Sequence, residues 1–167
     1  MATGVFDLLH PGHVYFLREA RKLGDELVVV VARDSTARKV KHDPITPEAS
    51  RVAMVAALKP VDRAVLGHEG DIYEILDELR PDIIVLGYDQ AHREDRILEE
   101  CRKRGLATKV VRLPRSEGDL DGTRRIVRRV GEWLEAQRRV RGADGGKAPR
   151  RRGPRRRVRA RRPRRAP

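Results

Sequence analysis

Residues 4–13 read GVFDLLHPGH and mark the point at which a strand gives way to a helix. After them Phe16, Ala20 and Leu23 recur at helical spacing. The free backbone N–H groups and the dipole at a helix N-terminus favour an anion, and a phosphate is the expected ligand. Gly12 removes a side chain where the backbone and that phosphate must meet closely.

Two histidines lie in this stretch, three residues apart on the first turn of the predicted helix. His10 and His13 can therefore both point at the phosphate. Two other interpretations stay open, a surface loop that carries two histidines by chance and one half of a zinc site. Zinc would need further ligands at matching spacing. The remaining histidines and the single cysteine are scattered, at His42, His68, His92 and Cys101.

Charge divides the chain into two parts. A length of 167 residues suits one domain. Residues 138–167 hold 15 Lys+Arg and 1 Asp, whereas residues 1–137 carry a net charge of −1. The net charge of +13 and the pI of 10.9 therefore belong to the C-terminal segment. We predict a folded domain over 1–137 and a disordered, Arg-rich tail over 138–167.

The tail is broken by Gly and Pro and has no apolar pattern with which to pack a core. One interpretation is an electrostatic arm that binds RNA or DNA without sequence specificity. The other interpretations are a solvated extension and a frame-related artefact of a GC-rich gene.

Cysteine content and hydropathy bear on the compartment. One cysteine excludes an internal disulfide and suits a cytoplasmic protein. The longest apolar run, 52–58, is far too short to span a bilayer. No charged segment is followed by an apolar segment in the way that is typical of a secretory signal peptide. We expect a cytoplasmic protein that does not enter a membrane.

Apolar runs and helical patterns alternate along residues 1–137, which predicts an α/β protein. The first expected strand ends near Phe6, and the other four cover residues 27–32, 63–66, 82–86 and 107–113. The first expected helix ends near residue 23, and the other four cover residues 47–58, 71–79, 93–104 and 121–136. This alternation predicts a doubly wound, five-stranded parallel sheet of the Rossmann-like class. Because only three residues precede Gly4, either the first strand is very short or the true start lies upstream.

A second informative string, LGYDQ over residues 86–90, follows the fourth predicted strand. In a doubly wound sheet the ligand binds at the carboxyl ends of the strands. Asp89 is therefore a candidate to accept hydrogen bonds from a ribose or a base amine. The alternative is a turn residue whose carboxylate caps its own backbone or the next helix.

These strings resemble the HxGH nucleotidyltransferases, whose signature has the form G-T-F-D-x-x-H-x-G-H. Val5 stands where that superfamily usually has Thr, so a hydroxyl is lost while the backbone N–H remains. LGYDQ resembles the equivalent string of archaeal FAD synthases. Further stretches resemble them too, namely VARD at 31–34, ALKPVD at 57–62 and RPDIIVLG at 80–87. The resemblance covers roughly residues 1–135.

The third element of that family is a hydroxyl-rich turn that opens the last helix. Only Thr123 keeps a hydroxyl here, since Asp121 and Gly122 replace the others. Thr123, the Gly122 backbone and Arg124 are candidates to bind the β- and γ-phosphates, and Asp121 is a good N-cap. Three further cations, Lys39, Lys41 and Arg51, either reach the phosphates or are solvated surface charges.

The resemblance implies that the phosphate of FMN attacks the α-phosphorus of ATP, giving FAD and pyrophosphate, with Mg²⁺ bridging the phosphates. It implies catalytic roles for His10 and His13 and no metal site made by the protein alone. The implied nucleotide-binding residues are Val5, Phe6, His10, Pro11, Gly12, His13, Asp89, Thr123 and Arg124. Two alternatives stay open: a cytidylyltransferase that makes a CDP-alcohol from a substrate such as glycerol 3-phosphate, and an inactive nucleotide-binding relic with an RNA-binding arm. A homodimer also stays open.

Overall fold

The computed structural model describes residues 1–40, 43–90, 92–116 and 122–143. Within these ranges five parallel strands form one sheet, in the order β3-β2-β1-β4-β5. The strands are β1 (Ala2–Gly4), β2 (Val28–Val31), β3 (Arg63–Leu66), β4 (Ile83–Leu86) and β5 (Lys109–Arg112). The helices are α1 (Pro11–Arg21), α2 (Asp34–Val40), α3 (Glu48–Ala56), α4 (Ile75–Leu79), α5 (Glu94–Lys103) and α6 (Thr123–Ala143). The predicted five-stranded α/β fold is confirmed.

Strand order reverses at β1, which lies between β2 and β4. This reversal is the topological switch point, where doubly wound sheets bind their ligands. The first strand is only three residues long, and its register pairs Ala2 with Val29 and Gly4 with Val31. The N-terminal amino group extends the pairing toward β4, since it donates a hydrogen bond to the carbonyl of Ile83 at 2.8 Å.

The sheet is buried on both faces, as continuous β-branched strands predict. Successive side chains of β4 alternate between two apolar clusters. Val85 packs in one cluster with Leu17 of α1, whereas Ile84 and Leu86 pack in the other. Each face of the central strands is therefore covered.

The predicted bounds of strands and helices agree best with the structure where an apolar run is compact. β3 has the predicted bounds, 63–66. α4 begins at Ile75 and not at Asp71, because Asp71 closes a turn instead, its carboxylate accepting a hydrogen bond from the backbone N–H of Tyr73. The helix α2 was not predicted. α5 ends at Lys103, one residue before the expected end, and Gly105, which follows the C-cap Arg104, has a φ of 66° that favours glycine.

Contacts divide the chain into two compact units, Met1–Val130 and Gly131–Pro167. The first contains the sheet, α1 to α5 and the beginning of α6. The described part of the second is helical, and its apolar Trp133, Leu134 and Val140 are exposed. Residues 138–143, which we assigned to the tail, belong to α6, and 144–167 lie outside the described residues.

No helix in the described part of the chain has the length and apolar character needed to cross a membrane.

Candidate active site

A cavity of about 580 Å³ opens in the first unit, beside the carboxyl ends of β1 and β4. Its lining includes eight of the residues that the sequence indicated for the nucleotide, namely Val5, Phe6, His10, Gly12, His13, Asp89, Thr123 and Arg124. Pro11 is not part of this lining. It is exposed at the start of α1, where proline is common because its missing N–H would have no helical partner.

The loop between β1 and α1 has an uncommon backbone. Phe6 and Leu8 have φ angles of 55° and 46°, in the left-handed region that side chains other than glycine rarely adopt. The ring of Phe6 folds back over Gly4, where a Cβ would lie 2.9 Å from two ring carbons. Gly4 is therefore required for the close contact that closes this loop, and the surrounding contacts must hold the two strained residues in place.

Arg51 of α3 is one of those contacts, and its side chain is 0% exposed. Its guanidinium donates hydrogen bonds to the backbone carbonyls of Val5 and Thr46 and to the carboxylate of Asp34, the last at 2.6 Å. A buried arginine requires partners of this kind, because an unpaired buried charge is very unfavourable. Arg51 therefore fixes the end of β1 from inside the protein.

Asp7 is the second contact, and it is buried although it is charged. Its two carboxylate oxygens accept hydrogen bonds from the backbone N–H groups of Ile45 and Thr46, at 3.0 and 2.9 Å. Its backbone carbonyl accepts a hydrogen bond from the hydroxyl of Thr123 at 2.9 Å. One residue thus connects the β1–α1 loop, the segment before α3 and the start of α6.

The two histidines lie against each other at the N-terminus of α1. His10 is the N-cap, and its Nδ1 accepts a hydrogen bond from the backbone N–H of His13 at 3.4 Å. A ring nitrogen that accepts a hydrogen bond carries no proton, so Nε2 is the atom through which His10 can donate one. The rings stack with centroids 3.7 Å apart, and the His13 ring also contacts Phe6 at 5.2 Å. The structure therefore brings both imidazoles to the cavity wall.

Acidic residues are absent from the first turns of α1 and α6, the two helices that begin at this cavity. The other described helices each have an acid in the first turn, namely Asp34, Glu48, Asp77 and Glu94. An acidic side chain there would offset the positive end of the helix dipole. Arg115, Arg124 and Arg125 also line the cavity. Two helix N-termini and three arginines favour an anion in this cavity, although the carboxylates of Asp7 and Asp89 also line it.

The LGYDQ string forms the opposite wall of the cavity, where Gly87, Tyr88, Asp89 and Gln90 line it. Gln90 was not among our candidates. Its side-chain amide donates a hydrogen bond to the carbonyl of Thr3 and accepts one from the N–H of Gly87. In the sequence Gln90 is only the last residue of the LGYDQ string, and the folded chain shows that it bridges β1 and β4.

Arg115 is a second residue that the sequence did not single out. Its guanidinium lies over the ring of Tyr88, 5.5 Å from the centroid, which is a cation–π geometry. This contact holds a positive charge in the wall of the cavity that Asp89 also lines.

Of the three further cations that we considered, none lines this cavity among the described residues. The expectation for Arg51 was wrong, because its nitrogens are engaged inside the protein. Lys39 lines a neighbouring cavity. Lys41 and Asp121 lie outside the described residues. No group of three or more His, Cys, Asp or Glu side chains in the described ranges is arranged to hold a metal ion.

The sequence is similar to those of known proteins. Residues 1–140 match the profile of the cytidylyltransferase-like family, and the chain belongs to that family. Over 131 residues it is 66% identical to the FAD synthase of Aciduliprofundum boonei, covering 78% of this chain and 88% of that protein. It is 51% identical to the FAD synthase of Thermoplasma volcanium, covering 80% of this chain and 94% of that protein.

Two solved structures resemble the fold. The lipopolysaccharide core biosynthesis protein from Thermoplasma volcanium is 55% identical, with a TM-score of 0.68, covering 70% of this chain and 96% of that one. A protein with unknown function from Archaeoglobus fulgidus is 20% identical, with a TM-score of 0.55 over 68% of this chain and 87% of that one. The second likeness concerns the fold alone.

Proposed function

We propose that this chain transfers the AMP moiety of ATP to FMN, giving FAD and pyrophosphate. Its high identity to curated FAD synthases over most of its length supports this reaction. The structural observation that carries the proposal is the anion site, where two helices without acidic first turns begin at one cavity beside two stacked histidines.

The reaction needs a charged pocket more than it needs a base. A phosphate oxygen of FMN bonds to the α-phosphorus, while the bond from that phosphorus to the oxygen bridging to the β-phosphate breaks. Pyrophosphate leaves with that electron pair. The attacking phosphate is already anionic at neutral pH, so catalysis consists of positioning and charge stabilisation.

Each set of residues at the cavity has its own role in this reaction. His10 and His13 donate N–H hydrogen bonds to oxygens of the α- and β-phosphates, and the backbone of Gly12 approaches the same group. At the start of α6, Thr123 and Arg124 bind the distal phosphates. The hydroxyl proton of Thr123 is already donated to Asp7, so its backbone N–H is the group that remains for the phosphate. Asp89 accepts hydrogen bonds from the ribose or the base.

Mg²⁺ enters as part of the substrate, MgATP. Mg²⁺ keeps several waters and binds through substrate phosphates with few protein ligands. That behaviour fits a cavity whose buried carboxylate, Asp7, is already engaged by two backbone N–H groups. The cytoplasm holds both substrates, and we propose it as the site of action.

A cytidylyltransferase acting on a phosphorylated alcohol is the second candidate, and the name of the matched family favours it. One assay separates the two. Purified protein is incubated with Mg²⁺, ATP or CTP, and FMN or glycerol 3-phosphate, and the products are separated by chromatography. FAD with stoichiometric pyrophosphate is the expected result. A CDP-alcohol without FAD would replace the proposal, and no product with either pair would favour the nucleotide-binding relic.

A further inference from the structure

Arg112, the last residue of β5, makes four hydrogen bonds to the loop after β4 and the beginning of α5. Its Nη1 donates to the backbone carbonyls of Gly87 and Gln90, at 2.8 and 3.0 Å. Its Nη2 donates to the backbone carbonyl of His92 at 2.8 Å, and its Nε donates to the carboxylate of Glu94 at 2.9 Å. One side chain therefore fixes a segment that lies between 18 and 25 positions earlier in the chain.

These contacts require the shape of a guanidinium. An arginine side chain carries five N–H donors in a planar fork, and four of them are engaged here. A lysine ammonium has three donors on a single atom, so it cannot reach four acceptors that are spread in this way. The side chain of Arg112 is 30% exposed and lines neither of the two cavities. The guanidinium therefore acts on the loop and lies outside the walls at which a ligand would bind.

Two side chains of the LGYDQ string lie between the carbonyls that Arg112 holds. Tyr88 and Asp89 stand between Gly87 and Gln90, and both are exposed and line the candidate active-site cavity. The turn is closed on itself as well, since the N–H of Gln90 donates to the carbonyl of Gly87 at 3.3 Å. Because both ends of this turn are fixed, the directions of the two side chains between them are also fixed.

We propose that Arg112 is a positioning residue for the nucleoside part of ATP. This inference rests on the proposed function, in which Asp89 accepts hydrogen bonds from the ribose or the base. A contact of this kind is weakened when its acceptor moves by about 1 Å. By holding the carbonyls of Gly87 and Gln90, Arg112 keeps Asp89 where it meets the nucleoside. The triphosphate is bound by other elements, the N-termini of α1 and α6.

This division between nucleoside and phosphate gives a test that needs no turnover. Isothermal titration calorimetry in the presence of Mg²⁺ measures the affinity for α,β-methylene-ATP, which cannot release pyrophosphate, and for inorganic pyrophosphate. In Arg112→Met we expect the affinity for α,β-methylene-ATP to fall about tenfold, the effect of losing one or two hydrogen bonds. The affinity for pyrophosphate should not change. Arg112→Lys should lose less than Arg112→Met, because one ammonium replaces only part of the fork.

Thr108→Val is the matched control for lost stability. Thr108 precedes β5 at the opposite end of the strand, and its buried hydroxyl donates a hydrogen bond to the carbonyl of Pro81 at 2.8 Å. Arg112→Met and Thr108→Val both remove bonds from a side chain to the backbone, so both should lower the denaturation midpoint. Only Arg112→Met should weaken nucleotide binding. Glu94→Gln removes only the charge of an exposed ion pair and should bind like the parent protein.

Steady-state kinetics provides a second measurement. KM for ATP should rise in Arg112→Met by about the factor lost in affinity, while kcat at saturating ATP changes by a smaller factor. Parent-like affinity of Arg112→Met for α,β-methylene-ATP would overturn the positioning role. Equal losses for the nucleotide and for pyrophosphate, or an equal loss in Thr108→Val, would also overturn it, because a general effect on the fold would then explain the result.

Failure of the proposed function is distinguishable from failure of this inference. Nucleotide binding that depends on Arg112, in a parent protein that forms no FAD, would retain the positioning role and overturn the proposed reaction. A parent protein that binds no α,β-methylene-ATP and forms no FAD would overturn both. If Arg112→Met does not fold, Arg112→Lys takes its place, and parent-like nucleotide affinity in that variant would overturn the requirement for the fork.

Discussion

The hydroxyl of Thr123 donates a hydrogen bond to the backbone carbonyl of Asp7, across 116 positions of sequence. This bond holds the N-terminus of α6 beside the loop that leads into α1. Because both helices begin at the candidate active-site cavity, their positive ends face the same space. The single hydroxyl that survives in this turn therefore has a structural task in the free protein.

Thr123→Val should separate this task from phosphate binding. The variant leaves the Asp7 carbonyl without its donor, which should cost about 1 kcal/mol of stability. It should also raise KM for ATP several-fold, because α6 is no longer fixed at the cavity. Thr123→Ser keeps the hydroxyl and should restore both values. Denaturant unfolding and steady-state kinetics measure them, and a Ser variant as impaired as the Val variant would contradict this role.

The histidines should affect turnover more than binding. If they donate to charge that develops in the transition state, His10→Ala or His13→Ala should lower kcat by ~10²-fold with smaller changes in KM. His10 is also an N-cap, so its Ala variant should lose about 1 kcal/mol of stability. His10→Asn retains an acceptor for the cap and should lose only activity. Parent-like turnover in both Ala variants would remove the histidines from the mechanism.

Arg51→Ala should be among the most destabilising single substitutions. It removes the buried partner of Asp34 and leaves the carbonyls of Val5 and Thr46 without a donor. Breaking a buried ion pair costs about 3–5 kcal/mol. Arg38→Ala is the control, because its pair with Asp43 is exposed and should contribute little. Chemical denaturation measures both, and equal midpoints for the two variants would contradict the structural role of Arg51.

The buried position of Arg51 could not be predicted from the sequence. Charged residues usually face water, so we expected this side chain at the surface or at the phosphates. Two of its partners are backbone carbonyls that only the folded chain brings together, and no sequence pattern marks them. By contrast, β3 was predicted with its bounds because an apolar run shows itself directly. α2 was missed because seven mostly polar residues carry no helical periodicity.

The candidate active site shows the same difference between features that a local sequence pattern marks and contacts that only the fold creates. The stretch 4–13 and LGYDQ contribute eleven of the twenty-one residues that line the cavity, because each lies at the carboxyl end of a strand. Gln90 and Asp7 act through hydrogen bonds to other segments of the chain, so their roles became visible only with the fold.

Stability should fall in mild acid because of His92. Burial lowers the pKa of His92 below its ordinary value, and the nearby Arg112 guanidinium lowers it further. The unfolded chain therefore takes up a proton at higher pH than the folded chain. The contribution of His92 is fully present above the unfolded value of about 6.5 and is lost as the pH falls through the folded value. His92→Gln should flatten this part of the profile.

The measurement is the free energy of unfolding of both proteins between about pH 5 and pH 8. Subtracting the unfolding free energy of the variant from that of the parent protein isolates the contribution of His92, since the other titrating groups are common to both. The difference should be constant above about pH 7 and should shrink in favour of the variant below it. A difference that stays flat across the whole range would show that His92 does not titrate differently in the folded protein.

The C-terminal segment should be separable from the chemistry. A chain that ends after Ala143 retains all of α6 and loses most of the basic residues of the segment 138–167. We expect it to fold and to form FAD at the parent rate, since the removed residues have no apolar pattern with which to join a core. Any affinity of the full chain for single-stranded RNA at low salt should disappear in the shortened chain.

Charge and length are distinguished by a full-length variant in which the eleven arginines of residues 150–165 are replaced by Gln. It should behave like the shortened chain in fluorescence-anisotropy titrations with RNA. For the parent, log K should fall linearly with log salt concentration, with a slope of about −0.7 for each phosphate contacted. RNA binding that is independent of salt would exclude an electrostatic arm. Loss of FAD formation in the shortened chain would place the segment in the catalytic unit and move the domain boundary beyond Ala143.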